Sequence, residues 1–262
     1  IISNDISSGL DKESLRFRFP PEPNGYLHIG HAKAIGLNFG LGEKYGAPVF
    51  LRFDDTNPAA EDQEFVDAIK KDINWLGYRW KQATYSSDNF NQLFQWALYL
   101  ISIDKAYVDS QTSEEIASQK GTPTKAGQNS PFRNRPKEEN TSLFIKMKEG
   151  KIKEGEHVLR AKIDMSNANM LMRDPVIYRV LNKTHHRTLD KWNIYPMYDW
   201  AHGQCDYIEQ ISHSLCSLEF KPHRDLYEWF LDFLPANSAA PKIRPKQREF
   251  ARLNLSLSLI HI

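Results

Sequence analysis

Residues 15–33 read LRFRFPPEPNGYLHIGHAK, and this stretch decides the fold. Its first five residues alternate apolar side chains with arginine, which predicts a β-strand. Residues 20–25 are rich in Pro, Asn and Gly and predict a loop, and from about His28 the apolar residues take helical spacing. In parallel α/β folds, the turn between a strand and the following helix is a place where nucleotides bind.

The residues after this turn continue the alternation of strands and helices. Residues 49–53 form a nearly continuous apolar run, as in a buried parallel strand, and the run stops at Asp54 and Asp55. After the start signal Asn57-Pro58, helical spacing appears at Phe65, Ile69, Ile73 and Leu76. Strand, helix, strand and helix in this order predict a parallel α/β sheet.

The middle of the chain departs from this pattern. Residues 121–136 predict a long loop, and residues 158–165 and 176–181 predict strands of another sheet. After residue 196 the α/β pattern returns, with two helices predicted from the spacing of Ile208, Ile211 and Leu215 and of Leu226, Trp229, Phe230 and Phe233. The sequence therefore predicts an α/β domain that is interrupted by an insertion.

The insertion is also the basic part of the chain. The 262 residues carry 34 Lys and Arg against 33 Asp and Glu, yet residues 111–194 hold 16 basic and 10 acidic side chains. A basic segment in a near-neutral protein is one indication of nucleic-acid contact. The other interpretation is a solvated surface with locally uneven charge, and charge alone favours it.

Composition excludes several classes of protein. With 40% hydrophobic and 26% charged residues, the chain resembles globular proteins that bury a core. Its two cysteines, Cys205 and Cys216, cannot supply a four-cysteine zinc cluster or a disulfide framework. No apolar stretch approaches the roughly 20 residues of a membrane span, and no signal-peptide pattern opens the chain. We therefore expect a cytoplasmic protein that uses neither a membrane nor a bound metal.

The strongest chemical signal lies in the first turn. Gly25 and Gly30 allow a ligand to approach the backbone closely, and the N-terminus of the helix favours phosphate. His28 and His31 are three residues apart, so their imidazoles share one helical face and can donate hydrogen bonds to phosphate oxygens. A bare His-x-x-His pair would be incidental, whereas the whole stretch between a strand and a helix predicts a phosphate site.

These stretches resemble a known family. The tetrapeptide HIGH at residues 28–31 is similar to the signature of class I aminoacyl-tRNA synthetases, and residues 18–27 resemble their glutaminyl/glutamyl branch. Three further stretches look like the glutaminyl-tRNA synthetases in particular, namely LRFDDTNP at 51–58, YPMYD at 195–199 and HSLCSLEF at 213–220. The similarity runs from about Leu15 to Leu255.

The resemblance implies a fold and an activity. The family has a Rossmann-like parallel-sheet nucleotide-binding domain, interrupted by an α+β insertion that binds the tRNA acceptor stem. It couples glutamine to ATP as glutaminyl adenylate, with Mg²⁺ accompanying the ATP, and then moves the glutaminyl group to the terminal adenosine of tRNA(Gln). The expected partners are therefore glutamine, ATP and the acceptor stem of tRNA(Gln). The basic insertion then becomes a surface for phosphate contacts.

The resemblance also implies roles for individual residues. His28 and His31 are expected to stabilise the α-phosphate as pyrophosphate leaves, Asp54 to hold the α-ammonium group of glutamine and Tyr198 to recognise its side-chain amide. The other residues expected at the glutamine are Arg18, Cys216 and Gln247. The other residues expected at the ATP are Glu22, Pro23, Asn24, Ile29, Gly30, Ala32, Lys33, Ala34, Ser217, Arg252 and Leu253. Four histidines are expected in structural or surface roles, namely His185, His186, His202 and His223.

The resemblance further divides the chain into parts. Residues 14–88 and 198–255 are expected to form the two halves of the catalytic domain, and residues 89–197 the inserted domain. The family's Met-Ser-Lys loop should follow shortly after residue 255, yet residues 256–262 form an atypical tail without lysine, which we interpret as a truncated or read-through end. Two alternatives stay open: an enzyme of the glutamyl-tRNA synthetase type, and a non-catalytic module that binds ATP or tRNA.

Overall fold

The computed structural model describes residues 1–235 and 243–251 of the chain. A short helix, α1 (Ile2–Ser7), precedes a parallel sheet in which three strands lie in the order β1 (Phe17–Phe19), β2 (Val49–Phe53) and β3 (Gln82–Tyr85). Helix α2 (Ile29–Tyr45) connects β1 to β2, and helix α3 (Gln63–Trp75) connects β2 to β3. All five residues of β2 are buried, and the predicted parallel α/β sheet is confirmed.

Both connecting helices begin and end on local signals. Helix α2 begins after His28, whose ring caps it, and ends at Gly46, where φ is +67°. A left-handed residue at this position favours glycine because a Cβ atom would be strained there. Helix α3 begins after Asp62, whose side chain accepts from the N–H of Glu64, and it buries Val66, Ile69 and Ile73.

The insertion has its own sheet. Its four antiparallel strands lie in the order β4 (Ala106–Asp109), β5 (Val158–Ala161), β6 (Val176–Val180) and β7 (Ile194–Pro196). Its helices in the described part of the chain are α4 (Phe90–Ser102), α5 (Ser113–Gln119) and α6 (Lys137–Lys148). The two strands predicted in this region are present as β5 and β6, but β5 ends at Ala161 and not at residue 165. The loop predicted at residues 121–136, all of which are described, carries no regular element beyond an isolated bridge between Thr122 and Lys125.

Parallel pairing returns after the insertion. The last described elements are helix α7 (Tyr198–Ile208), strand β8 (His213–Ser217), helix α8 (Arg224–Asp232) and strand β9 (Lys246–Phe250), with β8 and β9 parallel. The N–H of Ser212 donates to the carbonyl oxygen of Arg16 at 3.0 Å, so β8 begins beside β1. The carboxyl ends of β1 and β8 therefore lie near each other.

One of the two helices predicted in this region is confirmed and the other is wrong. Helix α8 contains most of the residues predicted between positions 226 and 233. The helix predicted through Ile208, Ile211 and Leu215 stops at its first member, because Gln210 takes a left-handed φ of +61° and the chain then enters β8. A spacing of three and four residues across a tight turn imitates the helical period.

Two clusters of buried apolar side chains form the core. One lies among β1, β2, α2 and α3 and includes Phe17, Leu51 and Ile69. The other contains side chains of the insertion together with α7 and α8, such as Trp200 and Phe230. Helices α7 and α8 thus pack against the insertion. Among the described residues, no helix has both the length and the apolar character needed to cross a bilayer.

Candidate active site

An open cavity of about 800 Å³ lies at the carboxyl ends of β1 and β8, beside the first turn of α2. Most residues predicted from the resemblance line it, namely Arg18, Glu22, Asn24, His28, Ile29, Gly30, His31, Lys33, Ala34, Tyr198, Cys216 and Ser217. Four others lie outside its wall, namely Pro23, Ala32, Asp54 and Gln247. Arg252, Leu253 and the tail at 256–262 lie outside the described residues.

The loop after β1 is fixed to the neighbouring elements by its backbone. The carbonyl oxygen of Pro21 accepts from the N–H of Asp54 at 3.0 Å, and that of Pro23 accepts from the N–H of Asp62 at 3.1 Å. The loop is thereby tied to the end of β2 and to the start of α3. Glu22 and Asn24, whose side chains are joined by a 2.7 Å hydrogen bond, remain exposed at the cavity.

The two histidines share the capping of α2. The Nδ1 atom of His28 lies 3.0 Å from the N–H of Gly30, and the Nδ1 atom of His31 lies 3.1 Å from the N–H of His28. A backbone N–H can only donate, so both Nδ1 atoms accept, and in a neutral ring the proton is then on Nε2. Burial and the nearby His28 lower the pKa of His31, which favours its neutral form. Each ring keeps one Nε2–H donor.

Gly30 is required by this arrangement. A Cβ atom at residue 30 would lie 2.8 Å from the Cε1 atom of His28, too close for the capping ring to keep its place. The two Nε2–H donors are therefore grouped on one wall of the cavity, beside the N-terminus of α2. Such a group of donors at a helix N-terminus suits an anion such as phosphate.

The opposite wall comes from the ends of β8 and β9. The ammonium group of Lys33 donates to the carbonyl oxygen of Ala251 and lies 5.7 Å from the centre of the Phe250 ring. The hydroxyl of Ser217 donates to Glu219 at 2.7 Å. Aromatic and polar groups on this wall are suited to an adenosine, which has a flat base and ribose hydroxyls.

Arg18 is fully buried in a network of charges. Its guanidinium donates to both carboxylate oxygens of Asp206 at 2.9 and 3.2 Å, to the carbonyl oxygen of Leu215 at 2.8 Å and to the hydroxyl of Ser214. Arg52 also donates to Asp206, at 2.8 Å. Burial opposes ionisation of Asp206, but the two guanidinium groups hold the pKa of that carboxyl below its ordinary value. Among the described residues, one N–H of the Arg18 Nη1 atom has no acceptor and is left for a ligand.

Tyr198 opens helix α7 and faces the same cavity. Its ring stacks on His202, one helical turn further along, at a centroid distance of 4.8 Å. Burial raises the pKa of Tyr198 well above its ordinary value, so the hydroxyl keeps its proton. No described residue forms a hydrogen bond with this hydroxyl, which can therefore both donate to a ligand and accept from it.

Cys216 lies in the cavity wall, whereas Gln247 lies outside it. Burial raises the pKa of the Cys216 thiol to about 11, so it is a neutral group in the cavity wall and not a nucleophile. Gln247 pairs with Ser214 in the register of β8 and β9. Its amide nitrogen donates to the carbonyl oxygen of Phe220 at 2.9 Å and to Glu249 at 3.0 Å. Both of its N–H groups are thus used within the protein.

Asp54 is buried at the carboxyl end of β2. Its Oδ1 atom accepts from the hydroxyl of Ser86 at 3.0 Å, whereas its Oδ2 atom has no partner among the described residues. Burial raises the pKa of Asp54 to about 6, although Arg52 and Ser86 act in the opposite direction. A buried carboxylate oxygen without a partner would gain from a cationic ligand such as an ammonium group.

A second group of ionisable side chains lies behind Asp54 and was not predicted. Asp55, His185 and His186 have metal-ligating atoms within 4.8 Å of one another, and the unpartnered Oε2 atom of Glu61 lies 3.8 Å from His185. The two imidazoles are stacked, with planes 23° apart and centroids 4.6 Å apart. A metal ion binds in the plane of an imidazole, so two nearly parallel stacked rings do not suit one ion.

The four histidines expected in structural or surface roles fall into different environments. His185 and His202 are almost completely buried, and burial lowers the pKa of His185 to about 4. His223 is half-buried and bonds to Asp199 at 2.6 Å, which raises its pKa. His202 lines the cavity, which sequence reasoning missed. Its position four residues after Tyr198 was the available signal, because that spacing places both rings on one helical face.

The chain is similar to known proteins along nearly its whole length. Residues 14–260 match the catalytic domain of the class I tRNA synthetases (E and Q). The glutamine--tRNA ligase of Nitrobacter winogradskyi is 57% identical over 261 residues, which are 99% of this chain and 46% of that protein. The glutamine--tRNA ligase of Pseudomonas syringae pv. tomato is 54% identical over 260 residues, or 99% of this chain and 45% of that protein. The chain thus spans about half the length of the curated relatives that it matches.

The solved structures show the same fold. The glutamate tRNA ligase from Elizabethkingia meningosepticum has a TM-score of 0.65 and 20% sequence identity, over 91% of this chain and 49% of that one. At this identity the likeness concerns the fold alone. The match of nearly the whole chain to one family, together with its identity to the curated relatives, is decisive. The chain belongs to the class I aminoacyl-tRNA synthetases of the glutamyl/glutaminyl branch and carries their catalytic domain.

Proposed function

We propose that this chain forms the adenylating site of an enzyme that ligates glutamine to tRNA(Gln). The observation that carries the proposal is the pair of Nε2–H donors of His28 and His31, held by the cap of α2 at a cavity of about 800 Å³. Relatives with 57% and 54% identity are named glutamine--tRNA ligases, which supports the choice of amino acid.

In the first step, a carboxylate oxygen of glutamine attacks the α-phosphorus of ATP. The bond between the α-phosphorus and the bridging oxygen breaks, and pyrophosphate leaves. Negative charge grows on the α-phosphate oxygens, and donors already aimed at this position stabilise the transition state without reorganisation. His28 and His31 would supply these donors. Mg²⁺ would enter with the ATP and bind mainly phosphate oxygens.

The adenosine would lie between the start of α2 and the ends of β8 and β9. Gly30, Ala34 and Ser217 border this space, and the ammonium group of Lys33 lies beside Phe250 and Ala251 at its edge. Glu22 and Asn24 would cover the ATP from the loop after β1, with Pro23 holding that loop to α3. Arg252 and Leu253 keep the roles expected from the resemblance.

Glutamine would lie between Asp54, Arg18 and Tyr198. The unpartnered carboxylate oxygen of Asp54 would bind the α-ammonium group, and the Nη1 atom of Arg18 has one N–H left for an oxygen of the substrate. The protonated hydroxyl of Tyr198 can accept a hydrogen from the side-chain amide of glutamine and donate to its oxygen. A glutamate carboxylate has no hydrogen to donate, so its binding would leave a buried polar group unpaired. Sites that work in this way discriminate by about 10⁴.

In the second step, a ribose hydroxyl of the terminal adenosine attacks the carbonyl carbon of the adenylate, and AMP leaves. The inserted segment at 89–197, which contains the 16 basic residues counted between positions 111 and 194, would bind the acceptor stem through phosphate contacts. The boundaries 14–88, 89–197 and 198–255 belong to this proposal.

The test is tRNA charging by the full-length enzyme with labelled glutamine and, separately, labelled glutamate. We expect kcat/KM for glutamine to exceed that for glutamate by about 10³ or more. Equal or preferred use of glutamate would assign the chain to the glutamyl type. Binding of ATP and tRNA without charging by either amino acid would support a non-catalytic module.

A further inference from the structure

The end of β2 is held in place by three separate parts of the chain. The N–H of Asp54 donates to Pro21, in the loop after β1, and its carboxylate accepts from Ser86, which follows β3. The next residue, Asp55, accepts from the N–H and the hydroxyl of Ser87 at 2.8 and 2.6 Å. The third part of the chain that holds this end of β2 is His185, which belongs to the insertion.

His185 reaches Asp55 from the segment between β6 and β7. Its Nε2 atom lies 2.9 Å from the carbonyl oxygen of Asp55. Its Nδ1 atom lies 3.1 Å from the N–H of Arg187 and 3.2 Å from the N–H of Thr188. These N–H groups only donate, so Nδ1 accepts and Nε2 carries the proton that the Asp55 carbonyl receives. The backbone of residues 185–188 thus fixes the tautomer of His185 that holds Asp55.

The same segment makes a second contact with this end of the sheet. The guanidinium of Arg187 donates to the hydroxyl of Ser87 at 2.8 Å and to the carboxylate of Asp88 at 2.7 Å. It also lies 3.7 Å from the centre of the Tyr85 ring. Ser87, which holds the carboxylate of Asp55, is therefore itself held by Arg187 of the insertion.

We propose that His185 is a positioning residue, which orients the Asp54 carboxylate for the ammonium group of glutamine by holding the Asp55 carbonyl. The proposal rests on the proposed function, because it needs Asp54 to bind the substrate. His185 is fully buried, and the loss of its Nε2–H would leave the Asp55 carbonyl unpaired and free to rotate. A small displacement of Asp54 would weaken glutamine binding and leave ATP binding unchanged, since the His28 and His31 donors depend on α2.

Two amide variants separate positioning from packing. In His185→Asn the amide oxygen lies near the position of the Nδ1 atom, so the N–H groups of Arg187 and Thr188 keep their acceptor. The carbonyl oxygen of Asp55 loses its donor. In His185→Gln the amide nitrogen falls near the place of Nε2, so Asp55 keeps a donor. Both variants lose the ring that packs between Phe90 and Tyr195. A purely structural role of His185 would affect them alike.

The experiment measures KM for glutamine and for ATP in tRNA charging by the full-length enzyme. We expect His185→Asn to raise the KM for glutamine about tenfold, as for a lost buried hydrogen bond, with the KM for ATP changed less than about twofold. We expect His185→Gln to stay within about threefold of the wild type for both substrates. Equal effects of the two variants, or equal changes in the two KM values, would overturn the proposal.

Two controls make the result decisive. Tyr195→Phe removes a buried hydroxyl that bonds the carbonyl oxygens of Lys183 and Trp192 in the same segment, without contact to Asp55, and should leave the KM for glutamine unchanged. If His185→Asn does not fold, Ser87→Ala removes another hydrogen bond to Asp55 at little cost in volume. It should raise the KM for glutamine severalfold, and an unchanged KM would refute the proposal.

The Asp54→Asn variant distinguishes failure of this proposal from failure of the proposed function. It should raise the KM for glutamine strongly if Asp54 binds the ammonium group. If it does so while His185→Asn has no effect, only the role of His185 is refuted. If Asp54→Asn itself leaves the KM unchanged, the glutamine site is wrongly assigned and the role of His185 falls with it.

Discussion

At the scale of single residues, each of the two histidines at the start of α2 has two separate tasks. Its Nδ1 atom caps the helix, and its Nε2–H is directed by that capping bond. The capping bond therefore also selects the tautomer that can donate to phosphate. In the proposed reaction, this dual use would let two neutral imidazoles donate to phosphate oxygens without a metal ion to orient the rings.

We predict that His28→Ala or His31→Ala slows single-turnover adenylate formation by about 10² in the full-length enzyme, the usual effect of losing one preorganised donor. Loss of the cap adds a modest drop in stability of about 1 kcal/mol. His157→Ala, a change in the insertion before β5, is the control and should leave the rate unchanged. Rates equal to the wild type in both histidine variants would contradict the assignment of the donors.

The burial of Arg18 is a feature of a single residue that could not be predicted from the sequence. The alternation of apolar residues with arginine predicts a strand, but it does not indicate that Arg18 is fully buried. Its carboxylate partner, Asp206, lies 188 residues further along the chain. A burial that depends on so distant a partner leaves no local pattern, whereas the HIGH stretch could be recognised because all its parts are adjacent.

At the scale of elements, a buried network of charges connects three of them. Asp206 of α7 receives hydrogen bonds from Arg18 of β1 and Arg52 of β2, and Arg52 also pairs with Glu209. The network holds α7, with Tyr198 at its start, against the two strands. The network therefore ties Tyr198 to the strands that carry Arg18 and Arg52.

Asp206→Asn is predicted to lower the free energy of unfolding by about 3–5 kcal/mol, because two buried guanidinium groups would lose their shared counter-ion. Urea denaturation followed by circular dichroism measures the change. Asp232→Asn breaks the solvent-exposed pair with Arg244 and serves as the matched control, with an expected loss of about 1 kcal/mol or less. A loss for Asp206→Asn no larger than that of the control would contradict the role of the network.

The carboxyl group of Glu61, in the segment between β2 and α3, should make the free energy of unfolding depend on pH in an unusual direction. Burial raises the pKa of Glu61 to about 9, above the roughly 4.3 of an unfolded chain. Between these values the folded form keeps a proton that the unfolded form releases, so this contribution to stability is present at low pH and is lost as the pH rises. Glu61→Gln removes that dependence and keeps an oxygen for the N–H of Asn57.

We therefore expect Glu61→Gln to raise the melting temperature, and to raise it more at pH 8 than at pH 5. Thermal denaturation at the two pH values gives the comparison. Glu64→Gln changes an exposed acid in the first turn of α3, three residues further along the chain, and is the control. A larger gain at pH 5 than at pH 8 would show that the sign of the pKa shift is wrong.

Elements were predicted well where one period continued over many residues. The apolar run of β2 and the helical spacing of α3 each extend through a whole element, and both were confirmed. The segment after Ile208 was predicted wrongly because a left-handed turn at Gln210 separates residues that share helical spacing. The cluster at Asp55 was not foreseen, since its members come from two parts of the chain that only the folded insertion brings together.

At the scale of the whole molecule, the basic segment between residues 111 and 194 gives a prediction for tRNA binding. Affinity for tRNA should fall steeply with salt, because each neutralised phosphate releases counter-ions. Lys125 is exposed in the long loop after α5, and Lys125→Ala should reduce the slope of log K against log salt by about one. Lys12→Ala changes an exposed lysine before β1 and should leave the slope unchanged. Equal slopes for the two variants would show that the acceptor stem of the tRNA binds away from Lys125.

The central claim is that the cavity beside α2 is where glutamine and ATP react. The most direct measurement is a crystal structure of the full-length enzyme with a non-hydrolysable analogue of glutaminyl adenylate. We expect an oxygen of the phosphate mimic within about 3.2 Å of the Nε2 atom of His28 or His31, and the ammonium group at Asp54. An analogue bound away from this cavity, or bound in it with both imidazoles out of reach of the phosphate mimic, would contradict the claim.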